Sequence, residues 1–241
     1  MSESNKAADS LLIHYQVLRR TIGWLGILFP VIMVVGSLFA GESGMRLSIS
    51  QYYHSPMGDL FVGILCAQGV FLFAYRGYKY DPNHVGHSFF IRLSDNTAGN
   101  IAAIGAIGTA LFPTIECEVS GCGSNTSAIL HWVFSGLFFL ILSYICLCLF
   151  VQSGDVAPTV QKQKRNRIYR FCGTIILLAM AGAVIKGLLP GEMEAVIDAY
   201  NPIFWLETVA ILAFGFSWFV KGEAIYADMN YGNEDAEEGE G

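Results

Sequence analysis

Charge is what this sequence has least of. Only 14% of its 241 residues are Asp, Glu, Lys or Arg, whereas a soluble domain averages about 25%. Hydrophobic residues make up 54%, and this balance excludes an ordinary soluble domain and predicts a membrane protein. The chain also lacks a glycine-rich nucleotide loop, a haem-attachment motif and a basic nucleic-acid patch. We therefore expect no cofactor and no nucleic-acid partner.

A disulfide framework is absent as well. Four of the six cysteines lie within apolar runs: Cys66, Cys146, Cys148 and Cys172. In such runs cysteine behaves as a small hydrophobe. Cys117 and Cys122 share the short segment 116–127, and whether they form a local disulfide stays open. No second cysteine pair accompanies them, which argues against a metal site at this pair.

Long apolar runs are abundant, and each is long enough to cross about 30 Å of hydrocarbon as a helix. They cover residues 21–40, 57–75, 97–114, 128–151, 168–190 and 202–221. The sequence therefore predicts an all-α integral membrane bundle of six transmembrane helices. The third run is rich in Gly and Ala, which allow close approach of neighbouring helices, so we expect it to be the central, most enclosed helix.

The distribution of Lys and Arg predicts the orientation of this bundle. Except for Arg46 and Lys186, all 14 basic residues fall on one side, which we take as cytoplasmic. Both termini are then cytoplasmic, with residues 1–20 as an N-terminal segment, 21–221 as the membrane domain and 222–241 as an acidic disordered tail. No signal-peptide pattern is present. We expect a multi-pass protein of a bacterial inner membrane with membrane lipids as partners, and a homo-oligomer stays open.

Four ionisable residues lie in four different predicted spans: Asp59, His131, Lys186 and Glu207. All four are roughly 4–8 Å below the non-cytoplasmic boundary, at about 1.5 Å per residue. A charge at mid-helix in a bilayer costs about 2.5–3.5 kcal/mol and usually faces a bundle interior or a wet cavity. The loop before the second span adds further polar residues at this level, among them Ser50, Tyr53 and His54. We therefore expect these seven residues to form a polar pocket near the outer leaflet that binds a lipid or small amphiphile.

Whether the pocket performs chemistry stays open. A histidine beside a carboxylate is a candidate general base, so a membrane hydrolase or transferase could use His131 with Asp59 or Glu207 as catalytic residues. Ser50 would then be the nucleophile, although it lacks a Gly-x-Ser-x-Gly elbow. A compact ligand motif such as His-Glu-x-x-His does not occur, and we expect no metal.

A third interpretation is purely structural. Lys186 would pair with Glu207 or Asp59 and tie helices together, and the protein would be a structural or assembly protein without a ligand.

Several of these residues carry a resemblance to known families. The run Ser48-Ile-Ser-Gln-Tyr-Tyr-His and the run Phe204-Trp-Leu-Glu resemble uncharacterised bacterial six-span membrane proteins of a family of unknown function. The layout is more distantly similar to the DRAM-like six-span proteins, which include autophagy modulators and GPI-anchor lipid-remodelling factors. Their Ile-Ser element, fourth-span His and sixth-span Glu-Trp are matched here by Ile49-Ser50, His131 and Glu207, but Thr208 follows the Glu and Trp205 precedes it. The resemblance implies handling of lipids or their head groups.

Overall fold

The computed structural model describes residues 3–77, 93–116, 125–153 and 157–226. Within these ranges the protein is all-α, and no strand occurs. Its α-helices are α1 (Glu3–Phe39), α2 (Gly58–Ala74), α3 (Asp95–Leu111), α4 (Thr126–Tyr144), α5 (Val160–Gly187), α6 (Gly191–Asp198) and α7 (Pro202–Lys221). A 3-10 helix, Ser50–His54, precedes α2, and a π-helical turn, Ile145–Leu149, extends α4.

Polar side chains cap the first turns of several of these helices. Ser94 Oγ accepts a hydrogen bond from the backbone N–H of Thr97 at 3.1 Å and so caps α3. Asn125 caps α4 and Thr159 caps α5 in the same way. Pro202 starts α7, where its missing N–H costs nothing. The capping side chains accept hydrogen bonds from backbone N–H groups of the first helical turn, because no earlier turn supplies carbonyl groups for them.

Four helical segments are long and apolar enough to cross a membrane: His14–Phe39, Thr126–Leu149, Val160–Gly187 and Pro202–Lys221. The other two predicted spans form α2 and α3, which have 17 residues each and reach only about 25 Å. Leu178 and Val184 on α5 are more than half exposed. Large apolar side chains on the outer surface of such long helices are expected against lipid. The chain is therefore a membrane protein with transmembrane helices.

Close packing through small residues holds the helices together. In α3, which lies between α2 and α4, a Cβ on Gly99 would lie 2.8 Å from the Leu72 carbonyl oxygen, and one on Gly105 would lie 2.9 Å from Phe138 Cα. Close approach of neighbouring helices at α3 is thus confirmed, whereas its place as the central, most enclosed helix stays a prediction. A second enclosed helix is α7, which packs between α1 and α5, and a Cβ on Gly215 would lie 2.6 Å from Ile27 N of α1.

Candidate functional site

Hydrogen bonds hold the 3-10 helix and the residues just before it between the loop after α3 and the start of α7. Gln51 Nε2 donates to the Ile115 carbonyl at 2.7 Å, and His54 Nε2 lies 2.8 Å from the Thr114 carbonyl oxygen. The backbone N–H of Phe204 donates to the Leu47 carbonyl at 3.0 Å. The Tyr52 ring is fully buried, and this burial raises the pKa of its phenol. The segment thus presents its first residues to α4 and α7 from a fixed position.

His131 of α4 meets this segment at Ser50. His131 is only 2% exposed, and its Nδ1 lies 2.7 Å from the Phe112 carbonyl oxygen. A carbonyl oxygen can only accept, so Nδ1 carries the proton. In the neutral ring Nε2 is then an acceptor, and it lies 3.0 Å from Ser50 Oγ. The Phe112 carbonyl therefore orients the imidazole so that its basic nitrogen faces the serine hydroxyl.

Glu207 of α7 reaches the same serine from the other side. Its Oε2 accepts hydrogen bonds from the backbone N–H of Ile49 at 2.7 Å and of Ser50 at 3.3 Å. Its Oε1 lies 3.4 Å from Ser50 Oγ. The serine has one proton to donate, and the shorter contact is the one to His131. Ser50 is therefore the centre of a polar chain that runs from Glu207 to His131.

A largely apolar cavity, which we call the bundle cavity, opens from Ser50 and Glu207. It contains about 560 Å³ of space between atoms, part of it open to the surroundings. Much of its wall is aromatic and aliphatic, from Phe29, Phe61, Leu65, Phe138, Ile211 and Phe214. The cavity extends about 10 Å along α2, from Phe61 to Gln68, at roughly 1.5 Å per residue.

Gln68, at the far wall of the bundle cavity, has a side-chain oxygen without a partner among the described residues. The residue is 3% exposed, and its Nε2 donates to the Ile22 carbonyl at 3.5 Å. Its Oε1 is buried and has no hydrogen-bond partner in the described part of the protein. Buried acceptors are normally paired, so the structure leaves an acceptor for a donor that enters the cavity.

The other predicted site residues lie outside this polar chain. Asp59 is exposed on α2, and its carboxylate makes no hydrogen bond or ion pair with the described residues. Tyr53 is half-buried and stacks edge-on against His54 at 5.1 Å between ring centroids. Three of the seven predicted pocket residues therefore meet, namely Ser50, His131 and Glu207.

Lys186 forms an ion pair that sequence reasoning missed. Its Nζ lies 2.9 Å from Asp198 Oδ1 and 3.2 Å from Oδ2. The predicted pairing with Glu207 or Asp59 is wrong, because the short helix α6 folds back after α5 and brings Asp198 to the lysine. An eight-residue helix in a predicted loop gave no apolar run to detect.

Two further groups were missed at the site itself. The Phe112 carbonyl has no sequence signal, because backbone acceptors do not depend on residue type. Gln68 had one, as a polar amide in the middle of the second apolar run. No group of three or more His, Cys, Asp or Glu that could hold a metal occurs among the described residues. Cys117, Cys122 and residues 227–241 of the acidic tail lie outside those ranges.

No protein-family model, curated protein or solved structure matches the chain.

Proposed function

We propose that this is a six-span membrane protein whose bundle cavity binds the apolar chain of a lipid or small amphiphile, with the polar end of the ligand at Ser50, His131 and Glu207. One observation carries the proposal: an apolar cavity inside the helix bundle ends at a connected polar group. A ligand that is apolar along its length and polar at one end matches this division.

Selectivity would come from the polar end. A lipid tail gains little by leaving a bilayer for an equally apolar cavity, since both environments exclude water. The carboxylate of Glu207 only accepts hydrogen bonds when ionised. The favoured ligand therefore carries hydroxyl, amine or amide donors in its polar part.

The predicted topology and the resemblance support an outer-leaflet assignment. Glu207 lies near the first residue of α7 and Lys221 is its last, so the polar chain and the basic residues are at opposite ends of that helix. If the basic end is cytoplasmic, both termini are inside and the cavity opens toward the outer leaflet, in a bacterial inner membrane. The elements shared with the DRAM-like proteins, Ile49-Ser50, His131 and Glu207, are those joined by hydrogen bonds here.

Lipid analysis of the purified protein tests the proposal. Wild type, Ser50→Ala and Glu207→Gln would be compared by native mass spectrometry after extraction in one detergent. Asp59→Asn is the matched control, because it also removes a carboxylate near the same end but from an exposed position. We expect a retained species that the first two variants lose and the control keeps. The same lipids in all four proteins would refute the pocket.

A second candidate is a hydrolase or acyltransferase, favoured by the 3.0 Å contact between His131 Nε2 and Ser50 Oγ. Ser50 Oγ would attack an ester carbonyl and give its proton to His131, which would pass that proton to the leaving alcohol. Glu207 would contact the serine rather than orient the histidine, because His131 Nδ1 donates to the Phe112 carbonyl. The carboxylate occupies the N–H groups of Ile49 and Ser50, so these do not form a free oxyanion hole.

A fluorophosphonate probe separates this candidate from simple binding. Labelling that is lost in Ser50→Ala and strongly reduced in His131→Gln would support an activated serine. A wild-type protein that binds lipid but is not labelled would support lipid binding and refute the activated serine.

A further inference from the structure

The far wall of the bundle cavity carries a polar group that the proposed function does not use. Gln68 of α2 is 3% exposed, and its Oε1 accepts no hydrogen bond from the described part of the chain. Buried side-chain acceptors normally have a partner, because an unpaired acceptor loses its hydrogen bonds to water without replacement. A cavity that binds only a hydrocarbon chain would be better served by an apolar residue at this position.

The contact with α1 fixes the orientation of the Gln68 amide. Its Nε2 donates to the Ile22 carbonyl at 3.5 Å. If the amide were turned over, Oε1 would lie against that carbonyl oxygen, and two acceptors would face each other. The Ile22 carbonyl lies inside α1, where the helix itself supplies a donor, and a bond of 3.5 Å is long. Holding α1 against α2 is therefore a weak reason for a buried glutamine.

The other polar groups of the cavity wall do not supply the missing donor to Gln68. Among the lining residues they are Ser50, Thr109, Ser135 and Glu207. Thr109 Oγ1 donates to a carbonyl of its own helix at 2.8 Å, and Ser135 Oγ does the same at 3.3 Å. Each hydroxyl has one proton, so neither can also donate to Gln68. A donor for Oε1 has to be brought by the molecule that fills the cavity.

Gln68 lies deeper in the bundle than the polar chain of Ser50, His131 and Glu207. On α7, Glu207 and Phe214 both line the cavity, and their separation is about 10 Å at roughly 1.5 Å per residue. Phe214 reaches α1 at Gly26, where a Cβ would lie 3.1 Å from Phe214 Cδ1. Gln68 reaches α1 one turn earlier, at Ile22. The cavity thus has two polar points at least about 10 Å apart, with an apolar wall between them.

We propose that the ligand of the bundle cavity carries a second hydrogen-bond donor, a hydroxyl or an amide N–H, on its apolar body about 10 Å from its polar end, and that Gln68 Oε1 accepts from this donor. The inference rests on the proposed function, because it names the class of amphiphile that the cavity holds. A plain hydrocarbon chain would leave Oε1 unpaired against methylene groups, whereas a hydroxylated or amide-containing chain satisfies it. Gln68 is then the residue that distinguishes these two classes of chain.

Linear alcohols test this class in the full-length protein purified in one mild detergent. The probes are primary alkanols and diols with a hydroxyl at each end, matched in chain length across a series. The readout is the alcohol concentration needed to raise the unfolding temperature. Wild type is compared with Gln68→Met, which keeps a long side chain but has no amide acceptor. Gln16→Met is the matched control, because this half-buried glutamine donates to Glu223 and does not line the cavity.

The expected result is a preference for diols that depends on Gln68. Wild type and Gln16→Met should bind a diol of matching length about tenfold more tightly than the alkanol, and shorter diols should show no such preference. Gln68→Met should lose the preference but bind alkanols at least as well as wild type, which shows that its cavity is intact. Partition into the micelle is the same for every protein, so it cancels when the proteins are compared.

The inference is overturned if wild type shows no preference at any chain length, or if Gln68→Met keeps it. The wild-type series decides the question by itself if Gln68→Met does not fold. Alkanols that stabilise wild type as well as diols do would leave the cavity as an amphiphile site and refute only the second donor. If no alcohol stabilises wild type, the proposed function and this inference fail together.

Discussion

Replacing Glu207 by Gln and by Leu should destabilise the protein to very different extents. The Glu207 carboxylate accepts from two backbone N–H groups and lies beside the Ser50 hydroxyl. Gln can keep one oxygen on the two N–H groups and turn its amide nitrogen to the hydroxyl, which then donates to His131. Only the charge on these hydrogen bonds is lost, so we expect a cost of about 1 kcal/mol.

Leu provides no acceptor at all. The N–H groups of Ile49 and Ser50 would lose the carboxylate that accepts from them at 2.7 and 3.3 Å. Each buried donor left unpaired costs about 1–3 kcal/mol, so the Leu variant, which leaves two, should lose about 2–6 kcal/mol in total. The first turn of the 3-10 helix should also become more mobile, because this carboxylate is its contact with α7.

The free energy of unfolding would be measured at equilibrium in mixed micelles of increasing SDS content. Asp59→Leu is the matched control, since it removes an exposed carboxylate near the same membrane level and should change stability by less than about 0.5 kcal/mol. The reasoning is refuted if the Leu and Gln variants of Glu207 are equally stable. It is also refuted if both match the Asp59 control.

Three further predictions concern packing and charge. Gly215→Ala should cost about 2 kcal/mol or more in unfolding free energy, because its Cβ would lie 2.6 Å from backbone of α1, while Gly63→Ala, which meets nothing within 4 Å, should not destabilise. In a double-mutant cycle of Lys186→Met and Asp198→Leu, we expect a coupling energy of about 1 kcal/mol, because the 2.9 Å pair is largely shielded from water, and additive effects would contradict the pairing. A hydrogen bond from Arg46 lowers the pKa of Glu42 below its usual 4.5. The stability that this hydrogen bond contributes is present above pH 4.5 and is lost as the pH falls through the lowered pKa. Glu42→Gln should therefore make the free energy of unfolding less sensitive to acid. Unfolding measured between pH 3 and 6, roughly the window around an ordinary carboxyl pKa, checks this.

The helices were largely predictable because their signal is local. The last apolar run, 202–221, coincides with α7, since Pro202 begins it and the apolar stretch ends at Lys221. The small residues of α3 likewise predicted close packing, which the structure has at Gly99 and Gly105. What composition could not reveal was the short α6 or the 3-10 helix, because neither contains a full apolar period.

The polar site was predictable in depth but not in direction. Position along a helix follows directly from the residue number at a fixed rise, so the shared level of His131 and Glu207 was visible in the sequence. Direction around a helix depends on which face each neighbour covers, and no pattern in a nearly all-apolar span records it. Asp59 consequently points out of the bundle while His131 points in.

The weakest contact of the polar chain is where a ligand would enter. Ser50 Oγ lies 3.0 Å from His131 Nε2 but 3.4 Å from Glu207 Oε1, and the serine and the glutamate both line the bundle cavity. A donor on the ligand can take the place of the serine at the carboxylate without breaking the bond to His131. The serine proton would stay on the hydrogen bond to the histidine, which is also the arrangement that a nucleophilic serine needs. Ligand binding and reaction at Ser50 would therefore be compatible, and a fluorophosphonate that still labels Ser50 when the amphiphile is bound would reveal it.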